Sequence, residues 1–276
     1  MAVTTDLGAV PASTSSKGVK VGRGRTKMRL LQLLTFVVAL MVWAIVTFTG
    51  LISPLALPSP IDVGKLFAIA VISPEYWLAV GQTLGGALIG LIIAAVVGIP
   101  LGLVTGTYSV AEKSSRLLVD MLRSFPVIAI LPVFLLIIGS NDRMKITVVF
   151  IACVFPIFLQ AQYGAQSVGS MVAETVRCYR IPRLLRFRKV ILPAATPSIM
   201  TGVRLAATTA VLVAVGVEIL TTLPGVGHQV LLDQINGNTP RAYVFILTAG
   251  LLGYAVNFLS ELAEKRLLRW RPPVQS

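Results

Sequence analysis

The amino-acid sequence predicts an all-α membrane protein with six transmembrane helices and both termini in the cytoplasm. Hydrophobic residues make up 55% of the 276 residues and charged residues only 13%, and the mean hydropathy is +0.85. Soluble domains carry about 25% charged residues. The apolar residues are gathered in runs long enough for helices that cross a bilayer, which takes about 20 residues. The basic residues lie in short blocks between those runs, as they do in the loops of membrane proteins.

The apolar runs are separated by polar or proline-rich segments, where a helix buried in lipid cannot continue. The predicted transmembrane helices are 30–52, 77–104, 125–140, 146–163, 199–220 and 242–260. An outer loop over 53–76, with a short amphipathic piece around 62–76, joins the first helix to a transmembrane core over 77–264. A basic cytoplasmic tail over 265–276 follows.

Residues 1–29 are rich in Ser, Thr and Gly and carry six basic residues. This composition predicts a disordered cytoplasmic N-terminus. The apolar run that follows exceeds the roughly 7–15 residues of a secretory signal, so we interpret 30–52 as a retained first helix.

The distribution of Lys and Arg predicts the orientation. With the N-terminus inside, the cytoplasmic segments hold nineteen basic residues and the outer segments four, and Arg204 lies near the inner end of the fifth helix. Cytoplasmic loops carry this excess. The net charge of +13 is therefore attributed to the loops rather than to nucleic-acid binding.

Glycines recur at fourfold spacing in the predicted second helix. The pairs are Gly81/Gly85, Gly86/Gly90, Gly98/Gly102 and Gly102/Gly106. Small residues four apart let helices approach closely in lipid, which suits either a transport core or ordinary helix packing. Pro100 is expected to kink this helix.

The sequence offers no catalytic, cofactor or metal site. His228 is the only histidine and is expected in a solvated outer loop, while Cys153 lies in an apolar run and Cys178 in a basic loop. The sequence has no GxxxxGK[ST] phosphate loop. If ATP drives this protein, a partner subunit must bind it.

Two ionisable residues lie in or near the predicted fifth helix. Glu218 is close to its outer end, and a charge inside a membrane often marks a pathway. Glu218 is therefore a candidate pathway or gate residue, although so near the end it could also simply reach water. For an anionic solute it would gate or brace rather than bind. Arg204 is expected to anchor the helix at the inner interface.

The segment 164–197 carries a recognisable motif. Glu174-Thr175-Val176 is followed after three residues by Arg180, then by Val190-Ile191-Leu192-Pro193. This spacing resembles the EAA motif of binding-protein-dependent ABC permeases, with Glu174 as its Glu, Val190 as its Ile, and Leu192 and Pro193 as its Leu-Pro. Thr175-Val176 departs from Ala-Ala and Arg180 from the turn Gly. A left-handed turn would cost Arg about 1–2 kcal/mol, so Pro182 could build the turn instead.

Other segments extend the resemblance to about 55–270. They are Leu57-Pro58-Ser59-Pro60, Gly98-Ile99-Pro100-Leu101-Gly102, Arg123-Ser124-Phe125-Pro126, the stretch from Ser198 to Arg204, and Pro224-Gly225-Val226-Gly227. This pattern is similar to the nitrate, sulfonate and taurine permeases, and it implies the type I ABC importer permease fold in a bacterial inner membrane.

The resemblance implies a set of partners and a division of labour. Two permease copies, expected as a homodimer, would form the pathway for a small solute that an external solute-binding protein delivers. Cytoplasmic ATP-binding subunits would bind ATP and receive the segment with Glu174, Arg180, Leu192 and Pro193 as a docking helix.

Several alternatives stay open. The basic segment 164–197 could merely bind anionic membrane lipid. The solute could instead be glycine betaine or a vitamin precursor. An integral-membrane enzyme would need a polar catalytic set within the helices, and an ion-coupled carrier would usually show inverted repeats and several intramembrane charges, of which this chain offers few.

Overall fold

The computed structural model describes residues 21–53 and 55–268. Over these residues the chain forms helices joined by turns, with a 3₁₀-helix at Val127–Ile130 and a π-helix at Phe187–Ile191. The α-helices are α1 (Val21–Phe48), α2 (Pro60–Ala70), α3 (Pro74–Thr107), α4 (Ser109–Ser124), α5 (Leu131–Ile138), α6 (Asp142–Gln166), α7 (Ser170–Cys178), α8 (Arg183–Arg186), α9 (Leu192–Thr221), α10 (Val226–Ile235) and α11 (Thr239–Leu267). Two compact units result, Met1–Leu51 and Ile52–Ser276.

The first unit contains helix α1. It begins at Val21, inside the segment predicted to be disordered, and its apolar part is Leu30–Phe48, four residues shorter than predicted. Residues 1–20 lie outside the described residues, as do most of the predicted basic tail's residues, 269–276.

Serine and proline together start the first helices of the second unit. Ser59 caps α2 by accepting a hydrogen bond from the Asp62 amide at 3.2 Å, and its hydroxyl donates to the Asp62 carboxylate at 2.8 Å. Ser73 caps α3 in the same way. Each is followed by a proline at the first helical position, where no amide donor is needed. The predicted second helix therefore begins at Pro74, three residues early.

Glycines bring α3 against α6. A Cβ atom added at Gly90 would lie 2.6 Å from Val149, and one at Gly102 or Gly106 would overlap the backbone of α6. Gly81 and Gly85 have nothing within 4 Å of such an atom. The fourfold spacing therefore marks the contact with α6 from Gly86 onward, and α3 runs unbroken through Pro100.

The predicted third transmembrane helix, 125–140, is not one straight helix. α4 ends at Ser124, because Phe125 takes an extended conformation before Pro126. The chain then bends by 78° between 109–124 and 127–138, and α5 has only eight residues. Among the described residues, five helices are long and apolar enough to cross a membrane, and six spans result if the bent pair counts as one.

The core of the second unit lies between α3, α6 and α9. Small residues such as Ala94, Ala206, Ala210 and Ala214 are almost fully buried there, beside Val148, Val149 and Ile157. This choice of side chains allows the three helices to pack closely, as small residues do in membranes. α11 closes the unit against α9 and α10.

Candidate functional site

Two groups of residues on α9 and its neighbours are candidates for function. The first is the segment 170–193, which we call the coupling segment. It consists of α7, a turn, α8 and the π-helix. Glu174 lies exposed on α7 and forms no ion pair with any described residue, whereas Val176 on the same helix is buried. The coupling segment is thus a series of short helices, and Glu174 is exposed on the first of them.

Arg180 lies in the turn between α7 and α8 and has the left-handed conformation, with φ 49°. The Arg180 amide donates to the Arg177 carbonyl at 3.0 Å, and the Ile181 amide donates to the Val176 carbonyl at 3.2 Å. These two bonds are the Schellman arrangement that usually has glycine at the left-handed position. The turn is therefore built at Arg180 itself, and Pro182 follows it as the residue that precedes α8.

Leu192 and Pro193 form the start of α9. Leu192 is exposed and Pro193 half-buried, and a proline fits the first turn of a helix because its missing amide donor is not needed there. α9 then continues for 30 residues to Thr221, a length of about 45 Å at roughly 1.5 Å per residue. One helix therefore leads from the coupling segment to the opposite end of the unit.

The second group surrounds Glu218 at that opposite end, and we call it the Glu218 cluster. The Glu218 side chain is fully buried and its Oε1 lies 3.1 Å from the Lys145 Nζ, itself 2% exposed. The Thr83 hydroxyl donates to Glu218 Oε2 at 2.8 Å and the Gly227 amide donates to the same oxygen at 3.0 Å. Every oxygen of this buried carboxylate therefore has a partner.

Lys145 also has its donors occupied. Beyond Glu218, its ammonium donates to the carbonyl of Gln82 at 3.3 Å and to the carbonyl of Pro224 at 3.2 Å. The Val226 amide donates to the Thr83 hydroxyl at 2.9 Å. The cluster thus ties α3, α6 and α9 to the loop that leads into α10.

Two glycines, one in that loop and one in the first turn of α10, leave room for Glu218. A Cβ atom at Gly225, whose φ is 153°, would overlap the Glu218 carboxylate, and one at Gly227 would overlap the Val215 carbonyl oxygen. Gly225 and Gly227 are therefore required by close packing. Glu218 is enclosed by this loop rather than reaching water, which removes one of the two alternatives considered for it.

The sequence does not identify Lys145 as the partner of Glu218, because Lys145 falls in the short gap between the predicted helices 125–140 and 146–163. In the structure Asn141 caps α6 and Asp142 begins it, so Lys145 lies one turn inside the helix. Its position, three and four residues before the buried Val148 and Val149, places it on the buried face. That spacing was the available signal.

The other singled-out residues lie elsewhere. Arg204 Nη1 is 3.1 Å from Glu264 Oε2 on α11, so it has a charged partner. His228 lies in α10, and its Nδ1 is buried without a hydrogen bond in the described part of the chain, contrary to the expected solvated loop. Cys153 is buried and Cys178 exposed. Residues 21–53 and 55–268 contain no group of three metal-ligating side chains.

Comparison with known proteins decides the family. Residues 98–269 match the family described as binding-protein-dependent transport system inner membrane component. The chain belongs to this family. The permease is thus a multi-pass transport subunit of the bacterial inner membrane, of a kind that works with ATP-binding subunits and a binding protein.

Curated relatives extend the match over most of the permease. It is 31% identical to the putative aliphatic sulfonates transport permease SsuC of Escherichia coli K12, over 84% of this chain and 88% of that protein. It is 29% identical to the taurine permease TauC of the same organism, over 87% and 90%. The nitrate import permease NrtB of Leptolyngbya laminosa is 28% identical, over 70% and 69%.

A solved structure supports the fold. A chain of the MetNI methionine ABC transporter in inward-facing conformations superposes with a TM-score of 0.62 at 18% identity, over 70% of this permease and 98% of that chain. The permease therefore has the type I importer fold.

Proposed function

We propose that this permease forms the translocation pathway for a small anion of the sulfonate, taurine or nitrate type, which an external binding protein delivers. The observation that carries the proposal is the extended similarity to SsuC, TauC and NrtB, whose names give these solutes. Another small solute, such as glycine betaine or a vitamin precursor, is the alternative within the same mechanism.

The coupling segment is proposed to dock on the ATP-binding subunit. Glu174 is exposed and free for a partner, and the exposed turn at Arg180 lies in the same segment. α9 begins where the motif ends, so a displacement of the coupling segment acts on the start of α9. Such transmission needs a rigid element with two arrangements, and a continuous helix of 30 residues is rigid enough to serve.

The orientation follows from the same assignment. The nineteen basic residues assigned to one side include six in the coupling segment and its flanks, which supports cytoplasmic termini. The Glu218 cluster then lies at the outer end, where its carboxylate braces the loop before α10 rather than gating an anion. We propose a homodimer as the functional permease, with ATP bound only by the partner subunits.

Uptake by the reconstituted complex tests the function. The permease would be placed in proteoliposomes with its ATP-binding subunit and binding protein, and supplied with labelled taurine, ethanesulfonate, nitrate or glycine betaine. We expect ATP-dependent uptake of at least one of the three anion-type solutes. Uptake of glycine betaine alone would reject the solute class and keep the mechanism. Uptake driven by an ion gradient without either partner would reject the importer.

Glu174→Ala tests the docking role of the coupling segment. Loss of a charged interface contact costs about 2–5 kcal/mol when the contact is buried and little at a rim, so uptake should fall together with association of the ATP-binding subunit. Membrane insertion should be unchanged, because the apolar helices carry it. Glu261→Ala, which removes another exposed carboxylate, is the control. Normal association and uptake in Glu174→Ala would argue for a lipid-binding connector.

A further inference from the structure

A cleft between α4 and α6 lies at the end of the unit where the coupling segment begins. Its volume is about 220 Å³, below the roughly 300–1,000 Å³ of pockets for drug-sized ligands. The polar side chains that line it are Glu112, Ser115, Arg116, Asp120 and Arg123 from α4 and Gln162, Tyr163 and Gln166 from α6. The cleft therefore suits a small polar solute.

Gln162 lies at the buried side of the cleft. Only 8% of this residue is exposed, and its side chain lines the cleft. Its amide atoms are open to the cleft, since the buried polar atoms without a partner among the described residues belong to His228, Asp233 and Glu264. An amide that faces a cleft in this way is a group that a ligand can contact.

The charges around Gln162 are balanced and partly unpaired. Arg123 pairs with Asp120 at 3.1 Å, whereas Glu112 and Arg116 form no ion pair with any described residue. They are four residues apart on α4, so both face the cleft. One free guanidinium and one free carboxylate therefore line the same cavity.

This arrangement selects a particular ligand chemistry. A guanidinium offers a fork of donors that matches the oxygens of an oxyanion. A carboxylate repels a simple anion but accepts from an ammonium group. A solute that carries both charges satisfies Arg116 and Glu112 together, whereas nitrate or an alkanesulfonate leaves Glu112 unpaired beside its own negative charge.

We infer that the α4–α6 cleft binds a small zwitterion with a sulfonate-type group at Arg116, an ammonium group at Glu112 and a hydrogen bond to Gln162. The inference rests on the proposed function as an importer permease and narrows its solute to an aminosulfonate, for which taurine is the probe. With the coupling segment on the cytoplasmic side, the cleft is a solute site at the inner end of the pathway.

Direct binding tests the site without transport. The detergent-solubilised complex of permease and ATP-binding subunit, without binding protein, would be dialysed against labelled taurine, with ethanesulfonate, nitrate and glycine betaine as competitors. We expect taurine to bind about 10- to 100-fold more tightly than ethanesulfonate, the range that one hydrogen bond to a charged group supplies.

Variants separate the two charges. Glu112→Gln should weaken taurine binding about 10- to 100-fold and leave ethanesulfonate binding unchanged or stronger, whereas Arg116→Gln should weaken both by a similar factor. Gln162→Leu should weaken taurine binding less. Lys113→Gln, on the same helix but outside the cleft, should bind as the wild type does. Size-exclusion profiles and thermal midpoints establish that each variant is folded.

The outcomes also separate a failure of the cleft proposal from a failure of the proposed function. A wild-type complex that imports taurine but does not bind it without the binding protein would overturn the cleft. Wild-type affinities in both Glu112→Gln and Arg116→Gln would do the same. A complex that imports none of the tested solutes in the uptake assay would instead reject the proposed function.

Discussion

Helix α9 is held by one kind of ion pair near its outer end and by another near its middle. Near its outer end Glu218 pairs with Lys145, and the two side chains are 0% and 2% exposed. Near the middle of α9, Arg204 pairs with Glu264 at the same 3.1 Å distance, but these side chains are 35% and 20% exposed. The two ion pairs therefore have the same N–O distance, but the Lys145–Glu218 pair is desolvated and the Arg204–Glu264 pair is partly hydrated.

The difference in exposure between the two ion pairs indicates where α9 is held most rigidly. Removing charges from water costs several kcal/mol per ion unless other hydrogen bonds surround them, and the Glu218 cluster supplies donors and acceptors from three helices and a loop. The Arg204–Glu264 pair keeps part of its hydration and does not need a surrounding set of hydrogen bonds. We therefore expect α9 to be held tightly at the Glu218 cluster and more loosely toward the coupling segment, where a partner's movement would enter.

Glu218→Ala should have the largest effect on stability. The change leaves the Lys145 ammonium buried with two carbonyl partners and the exposed Asp142 carboxylate at 3.8 Å, and breaking a buried pair in this way costs about 3–5 kcal/mol. The measurement is the free energy of unfolding in detergent by titration with denaturing surfactant. Glu261→Ala removes an exposed carboxylate and is the control, expected to change the free energy of unfolding far less than Glu218→Ala does.

The double variant Lys145→Met/Glu218→Leu sharpens this test. Replacing both charges by apolar side chains of similar size is often neutral or stabilising, although here the Gly227 amide and Thr83 hydroxyl lose an acceptor. The double variant should therefore be more stable than Glu218→Ala. A double variant as unstable as the single one would show that the hydrogen bonds, rather than the unpaired charge, dominate the cluster.

Gly227→Ala should have the second-largest effect. Its Cβ atom would overlap the Val215 carbonyl oxygen of α9, and overpacking of this kind costs about 1–3 kcal/mol. Gly169, beside the coupling segment, has nothing within 4 Å of an added Cβ atom, so Gly169→Ala should change stability by less than about 0.5 kcal/mol. Equal effects at the two glycines would contradict the difference in packing between the two ends.

The sequence predicted the long helices and the close packing of one of them. Apolar runs located α3, α6, α9 and α11 to within a few residues, except at the start of α9 and the end of α11, because the need to satisfy backbone groups in lipid leaves helices as the solution. The glycine spacing indicated that α3 packs closely against a neighbour, but not that this neighbour is α6. Both signals are local, since they depend on residues near one another in the chain.

The parts of the sites that depend on distant residues could not be predicted. Lys145 and Glu218 are 73 residues apart, and only the docking of α6 against α9 brings them together. The cleft at Gln162 depends on the approach of α4 to α6, which no local pattern in the sequence indicates. The turn is a further case. The free-energy cost of a left-handed conformation at Arg favours a turn built at Pro182, whereas the structure has the turn at Arg180.

Arg180→Gly tests whether the inner end stores strain. A left-handed conformation costs residues other than glycine about 1–2 kcal/mol. Glycine at position 180 removes this cost, so the coupling segment should gain stability by about 1 kcal/mol. Hydrogen exchange of the α7 amides measures this gain. Arg180→Ala is the control, because it removes the side chain and keeps the strain. Improved protection in Arg180→Gly with weaker association of the ATP-binding subunit would mean that the Arg180 side chain contacts the partner.

Glu264→Gln should have the smallest effect and bears most directly on the two ion pairs. Because Arg204 and Glu264 are partly hydrated, losing their attraction should cost less than about 1 kcal/mol, and raising the salt concentration should reduce even that cost. Glu218→Gln, the same change in the buried pair, should cost more and should respond little to salt, since the cluster excludes ions. Unfolding titrations of both variants at low and high salt provide the comparison. A salt-insensitive cost at Glu264 as large as that at Glu218 would mean that α9 is fixed as firmly at its middle as at its outer end, and movement of the coupling segment would then have to carry the whole of α9 with it.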